Sequence, residues 1–237
     1  SHVRMGACRG GEHRGNRCDH LPCVRVGAHV ARSGSAAGRR RGVAHRGVPG
    51  GERFSAPTRI DDEVEAAIEA LVPLAPLHNP ANLAGIRAAR KLLGDLPHVA
   101  IFDTAFHATL PHRAQRYAID AELADKHAIR RYGFHGTSHA YVAARAAQFM
   151  KTSVADLRLI TCHLGNGASV CAVEYGRSVE TSMGMTPLEG LAMGTRSGDL
   201  DPGVLIYLAK KKRLTPKSLN KLVNREAGLL GISSFSG

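Results

Sequence analysis

From Gly50 onward the apolar positions alternate between helical and extended periods, the pattern of an α/β chain. Val64, Ile68 and Leu71 recur at helical spacing behind Asp61 and Asp62, either of which can cap a helix there. Asn79-Pro80 supplies a cap and a first-turn proline to a second helix that runs through Leu93. The short apolar run 99–102 predicts a buried strand ending in Asp103, which places a carboxylate at a strand's C-terminal edge, where α/β folds keep their sites. Further along, LRLITCHLGNGASVCAVEYGRSVETSMG reads as apolar strands flanking Asn166-Gly167, a dipeptide suited to a tight turn. A second turn at Gly176-Arg177 makes the segment a meander.

The first 45 residues show neither period. Stretches such as CRGGEHRGNRCDH and ARSGSAAGRRRG are rich in Gly, Arg, His and Cys, and disorder or weak structure is expected. Cys8, Cys18, Cys23, His13 and His20 match no standard zinc spacing, and no aromatic residues interleave the arginines for stacking on bases. The abrupt change of composition and the initial Ser1 favour a third reading, translation of a wrong frame or an assembly error.

Composition narrows the class. At 237 residues and 43% hydrophobic, the chain can build one large domain or two small ones. No run of 18 apolar residues and no signal-peptide pattern occurs, so a cytoplasmic location is expected. The five cysteines are odd in number and lack a CxxC, and Cys162 and Cys171 sit inside apolar runs, which argues against a disulfide scaffold. The net charge is +12, but residues 1–50 hold ten arginines against Glu12 and Asp19, so the basicity is mostly an appendage; no nucleic-acid partner is expected, the alternative being a non-catalytic fragment with a basic nucleic-acid-binding arm.

Three stretches carry candidate chemistry. In FHGTSH, His135 and His139 stand four apart, the spacing of a helical metal clamp. Gly136 disfavours helix and Thr137 and Ser138 are good caps, so a helix is expected to start after them, from His139 toward Met150, leaving His135 on a loop. With no acidic third ligand at helical spacing, no metal site is expected. The hairpin tip offers His163, Asn166 and two glycines as donors and unhindered amides for phosphate, though most such hairpins are structural. In PLEGLAMGTRSGDLDPG, Arg196 lies among small residues, where it can approach a phosphoryl group or simply face solvent. Neither a GK dipeptide nor a GxGxxG after a strand occurs.

Taken together, HRGVPGGERF, PLAPLHNPANLAGI, FDTAFHATLP, RRYGFHGTSHAYV, TCHLGNGAS and SMGMTPLEGLAMGTRSGDLDPG resemble the acetokinase family, in family order from Ala44 to the end. The resemblance implies the actin, hexokinase and Hsp70 superfold, in which two ribonuclease-H-like domains close around a nucleotide. It implies phosphoryl transfer between ATP and acetate with Mg²⁺, with propionate or butyrate as alternative acceptors, in a homodimer. Residues 46–150 would be the acetate side and 151–237 the start of the nucleotide side, with 1–45 outside the match. By the same resemblance Arg46 and Arg196 meet the acetate carboxylate and the developing charge, and His135 donates to the transition state. Asp103 is the family's catalytic carboxylate. Because acetate is already ionised at neutral pH, its role is alignment through Mg²⁺ or an arginine rather than proton abstraction. His163, Leu164, Gly165, Asn166 and Gly167 match the ATP phosphate loop, and Val48, Leu77, Phe134 and Pro187 the surroundings of the acetate methyl. His78 and His139 match positions for packing or supporting hydrogen bonds.

The chain also departs from the family. No NAGSSSLK-type loop appears in the first 45 residues. HRGVPGG stands where the family has HRVVHGG, and GLLGISSFSG stops before the Asp-Met-Arg nucleotide motif. An inactive fragment with exposed apolar surface and an open sheet edge is therefore expected.

Overall fold

The computed structural model describes residues 28–33, 40–51, 53–72 and 79–235, with side chains from Gly42 onward. The chain begins with β1 (Ala28–Ser33), β2 (Arg40–Val48) and β3 (Thr58–Arg59), followed by α1 (Asp62–Ala70), α2 (Asn79–Leu92) and β4 (His98–Phe102). These strands form a sheet of order β1-β2-β4-β3, in which β2 and β4 run parallel. Asp61 caps α1 by accepting the Val64 N–H at 2.8 Å, as its sequence predicts. Val48, Ile68, Leu83, Ile86, Ala100 and Phe102 form the core between sheet and helices, with Phe54 stacked on Phe102 at 4.2 Å. Each large side chain buried there contributes about 1.5–3 kcal/mol.

Two strands arise where the sequence shows no periodicity, a correction to the expectation of weak structure before residue 46. β1 and β2 pair as an antiparallel ribbon, and β2 gains its second partner in β4. Pairing with a distant buried strand overrides a local composition poor in strand formers.

β2 ends in a bulge between Arg46 and Val48, built on Gly47 at φ +77°. The bulge keeps Val48 buried in the core while Arg46 is exposed. Asn82 donates to the Gly47 carbonyl at 3.1 Å, and Gly50 N–H donates to Thr104 at 3.2 Å, so this strand end is fastened from both sides.

Lower on the same strands, His45 and His98 form a buried pair. A carbonyl only accepts, so the 3.1 Å contact between His98 Nε2 and the Leu93 carbonyl puts the proton of His98 on Nε2. His98 Nδ1 then accepts from His45 Nε2 at 2.9 Å, leaving His45 Nδ1 as a buried lone pair without a partner among the described residues. Burial, and secondarily the neighbouring His98, lowers the His45 pKa to about 4.

After β4 come two short helices, α3 (His112–Gln115) and α4 (Ala121–Lys126), then the long α5 (Gly136–Phe149). The expected meander follows as β5 (Arg158–Leu164), β6 (Ala168–Glu174) and β7 (Arg177–Thr181), all antiparallel. Ala143 of α5 packs on Cys171 and Val173 of its inner face, with Phe106, Val154 and Leu159 around them. On the opposite face of β5, Ile160 and Leu164 are 76% and 75% exposed, flanking the free thiol of Cys162. The described chain closes with α6 (Pro202–Lys212), α7 (Pro216–Arg225) and α8 (Gly228–Ser233). Among the described residues no helix is long and apolar enough to cross a membrane.

Candidate active site

Asp103 leaves β4 at the C-terminal end of the parallel pair, its N–H donated to the Val48 carbonyl at 2.9 Å. Its carboxylate accepts the backbone N–H of His135 at 2.6 Å and, more distantly, that of Thr137 at 3.5 Å, while its carbonyl accepts the Gly136 N–H at 2.9 Å. A Cβ on Gly136 would collide with that carbonyl, so glycine is required for the close approach. These bonds correct the expected start of α5. The helix begins at Gly136, with His135 as its cap in the left-handed region (φ 57°), because Asp103 supplies the acceptor that Thr137 or Ser138 was expected to provide.

Held this way, the His135 ring stacks on His163 with centroids 3.9 Å apart. Its Nδ1 lies 2.8 Å from Ser169 Oγ, and His163 Nδ1 lies 2.9 Å from Ser138 Oγ. The register of the hairpin explains the gathering. Thr161 pairs with Cys171 and His163 with Ser169, so all four project from one face, polar toward the tip and apolar farther down, onto α5. From α5, His139 bridges Ser169 at Nε2 and Thr161 at Nδ1, both at 2.8 Å. Burial, helped by the His107 and His163 rings, lowers the His139 pKa to about 4 and keeps it neutral.

Arg196 arrives from the other side. One of its Nη groups donates to the Pro187 carbonyl, and burial lowers its pKa from the ordinary arginine value. The tip of the hairpin docks on this loop through the Gly194 N–H, which donates to the Asn166 carbonyl at 3.0 Å. A Cβ on Gly167 would lie 2.5 Å from Arg196 Nη2 and 3.5 Å from His135 Nε2, so the two nitrogens converge on one point beside that glycine. A half-buried guanidinium whose bond among the described residues goes to a carbonyl, next to exposed tip amides, suits an anion.

The Arg196 loop is itself clamped. Glu189 accepts from Arg131 at 2.7 Å and from Tyr117, and Arg131 also donates to the carbonyls of Thr181, Ser182 and Met183 at 3.0–3.3 Å. Burial first, and then Glu189, pushes the Tyr117 pKa up.

Thus Asp103, His135, His163, Gly167 and Arg196 come together. Arg46 sits at the same sheet end, across the bulge from Val48, but among the described residues no hydrogen bond or ion pair joins it to Asp103 or Arg196. Val48 and Phe134 fall in separate apolar clusters, and Leu77 and His78 lie outside the described residues. Pro187 serves through its carbonyl, and the Leu164 side chain points to solvent. Sequence reasoning missed Ser169, Thr161, Ser138 and Glu189. Period-two alternation along β5 and β6 was the available signal for the first two.

A carboxylate ending a parallel strand, a capped helix and a glycine-tipped hairpin belong to the ribonuclease-H-like, actin-type ATPase class of α/β folds. Acetate kinase of Porphyromonas gingivalis superposes with a TM-score of 0.77 at 50% identity, over 82% of this chain and 49% of its own. A propionate kinase of Francisella tularensis gives a TM-score of 0.78 at 46% identity, over 81% and 50%. Residues 34–237 match the Acetokinase family, and the chain belongs to it. The match begins ahead of Ala44, where the quoted motifs start. Curated acetate kinases of Deinococcus radiodurans and Thermotoga maritima are 59% identical over 196 residues and 56% over 191. These alignments take in 83% and 81% of this chain against 49% and 47% of the relatives, so the chain spans about half the length of the curated relatives it matches.

Proposed function

We propose that this chain serves phosphoryl transfer between ATP and acetate, forming acetyl phosphate and ADP. The observation that carries the reading is the convergence of His135 Nε2 and Arg196 Nη2 beside Gly167, with Asp103 bonded to the His135 backbone. An acetate oxygen attacks the γ-phosphorus, the bond to the β–γ bridging oxygen breaks, and that oxygen leaves with the electron pair as ADP. Such a transfer needs positioned cations and donors more than covalent chemistry. In this reading Arg196 and His135 meet the equatorial oxygens, and His163 with the Asn166 and Gly167 amides holds the ATP phosphates, the Gly165 N–H being donated to the Gly167 carbonyl at 3.1 Å. Arg46 takes the acetate carboxylate, and Val48, Leu77, Phe134 and Pro187 surround its methyl. A boundary near residue 150 separates the acetate side from the nucleotide side, and the homodimer and cytoplasmic location belong to the same reading.

The residues present fit a phosphate chain. Among the described residues no three His, Cys, Asp or Glu side chains gather as a cation cage, and both Asp103 oxygens already face backbone N–H groups. Mg²⁺ would therefore come with the nucleotide, where it would neutralise phosphate charge.

Because this chain spans about half the length of its relatives, the test is hydroxylamine trapping of acetyl phosphate from ATP and acetate by a full-length protein that carries this segment. Arg196→Ala and Asp103→Ala are expected to lower kcat by about 100-fold or more. Turnover unchanged in both variants rejects the site. The propionate kinase neighbour supports a second acceptor. A pocket closing on one methyl discriminates by only about 1–3 kcal/mol, so propionate is expected to turn over measurably.

A further inference from the structure

The inner face of the hairpin carries an unbroken line of hydrogen bonds that ends at His135, and its buried end sets which atoms donate. Thr161, 3% exposed, directs its single hydroxyl proton to the Cys171 carbonyl, 3.4 Å away. Its oxygen then accepts from His139 Nδ1 at 2.8 Å, so neutral His139 holds a lone pair on Nε2. Fully buried Ser169 gives its hydroxyl proton to that lone pair at 2.8 Å. The serine oxygen is left as an acceptor, and the atom 2.8 Å from it is His135 Nδ1.

We propose that Ser169, backed by His139 and Thr161, holds His135 in the tautomer protonated at Nδ1, so that Nε2 donates to a phosphoryl oxygen only when the ring is an imidazolium. This rests on the reading of His135 as a phosphoryl donor and makes Ser169 a positioning residue. The charged and titratable groups around the ring agree with it. From its loop, Arg196 converges with Nε2 beside Gly167, and His163 of β5 stacks on the ring. Asp103 at the end of β4 accepts the His135 backbone N–H, and His139 lies one turn along α5.

A guanidinium beside Nε2 favours a lone pair there until an anion arrives. The phosphoryl oxygens then supply the negative charge that lets two cations stand together, and the ring takes its proton from solvent water. With the bonds reversed, a neutral ring would aim an N–H toward Arg196, and the Cys171 carbonyl would lose the Thr161 hydroxyl. The two directions therefore differ in where one proton sits.

That proton is visible in long-range ¹H–¹⁵N spectra of the full chain labelled with ¹⁵N-histidine, with His135→Gln identifying the resonance. Without anion the neutral ring is expected to carry its proton on Nδ1, and saturation with inorganic phosphate is expected to protonate both nitrogens. In an Arg196→Ala background, where no guanidinium disfavours an N–H at Nε2, Ser169→Ala is expected to move the proton to Nε2, and Ser169→Thr to return it to Nδ1. In turnover, Ser169→Ala is expected to lower kcat about 10- to 100-fold with little change in KM for acetate. A neutral His135 protonated at Nε2 in the unsubstituted chain overturns the proposal even if Ser169→Ala does not fold. So does a tautomer unmoved by Ser169→Ala in a folded chain that also carries Arg196→Ala. The tautomer is read without turnover, so this outcome stands apart from whether Arg196→Ala abolishes phosphoryl transfer.

Discussion

Acidification should unfold this chain through His45. In the folded state the ring is 3% exposed, its Nε2 proton is committed to His98, and a proton added at Nδ1 would meet no acceptor among the described residues. Its pKa therefore falls to about 4, from 6.5 in an unfolded chain. The sign follows from linkage: with the folded pKa lowered, the stability is fully present above 6.5 and is lost as the pH falls toward 4. Between about pH 7.5 and about pH 5 this one ring costs about 2 kcal/mol, rising to about 3 below pH 4. His139, lowered to about 4 and 1% exposed, adds a similar loss over the same window. Urea unfolding midpoints across this range measure the total. His45→Gln keeps an N–H for His98 Nδ1 but cannot titrate, so it should recover about 2 kcal/mol at pH 5 relative to the original chain. If His45→Gln folds at neutral pH and keeps the full acid sensitivity, the argument from the orphaned lone pair is wrong.

Two other substitutions probe the site. In Gly167→Ala the new methyl meets the far end of a flexible arginine, so stability should change by less than about 1 kcal/mol while phosphate binding, followed calorimetrically, weakens at least about tenfold. Glu189→Ala takes from half-buried Arg131 the carboxylate at 2.7 Å and leaves it only that of Glu180 at 3.9 Å among the described residues. It should cost about 2–3 kcal/mol in chemical unfolding, less than a fully buried pair would. An unchanged midpoint there would mean that the loop does not depend on this clamp.

The parts of the fold that were legible in the sequence are those whose causes are local. Asp61 caps the helix it precedes and the run 99–102 is the buried β4, whereas Asn166-Gly167, read as a tight turn with positive φ, lies in a three-residue connection between β5 and β6 with neither residue in the left-handed region. What escaped has its cause elsewhere in the chain. The start of α5 is fixed by the carboxylate of Asp103, and β2 by its pairing with β4. Asp103, His135 and Arg196 stood out by their local settings, and their roles came from a family resemblance. Ser169 and Thr161 did not, because their meaning comes from a register that brings them under His139.

The left-handed backbone at His135 has a practical corollary. Holding a residue with a Cβ in that conformation costs about 1 kcal/mol, close to what the hydrogen bond of its ring to Ser169 returns. Replacing His135 with glycine relieves the first and forfeits the second, and the melting temperature should hardly register the exchange. A campaign that ranks variants by heat resistance alone would therefore accept a mutation that erases the proposed chemistry.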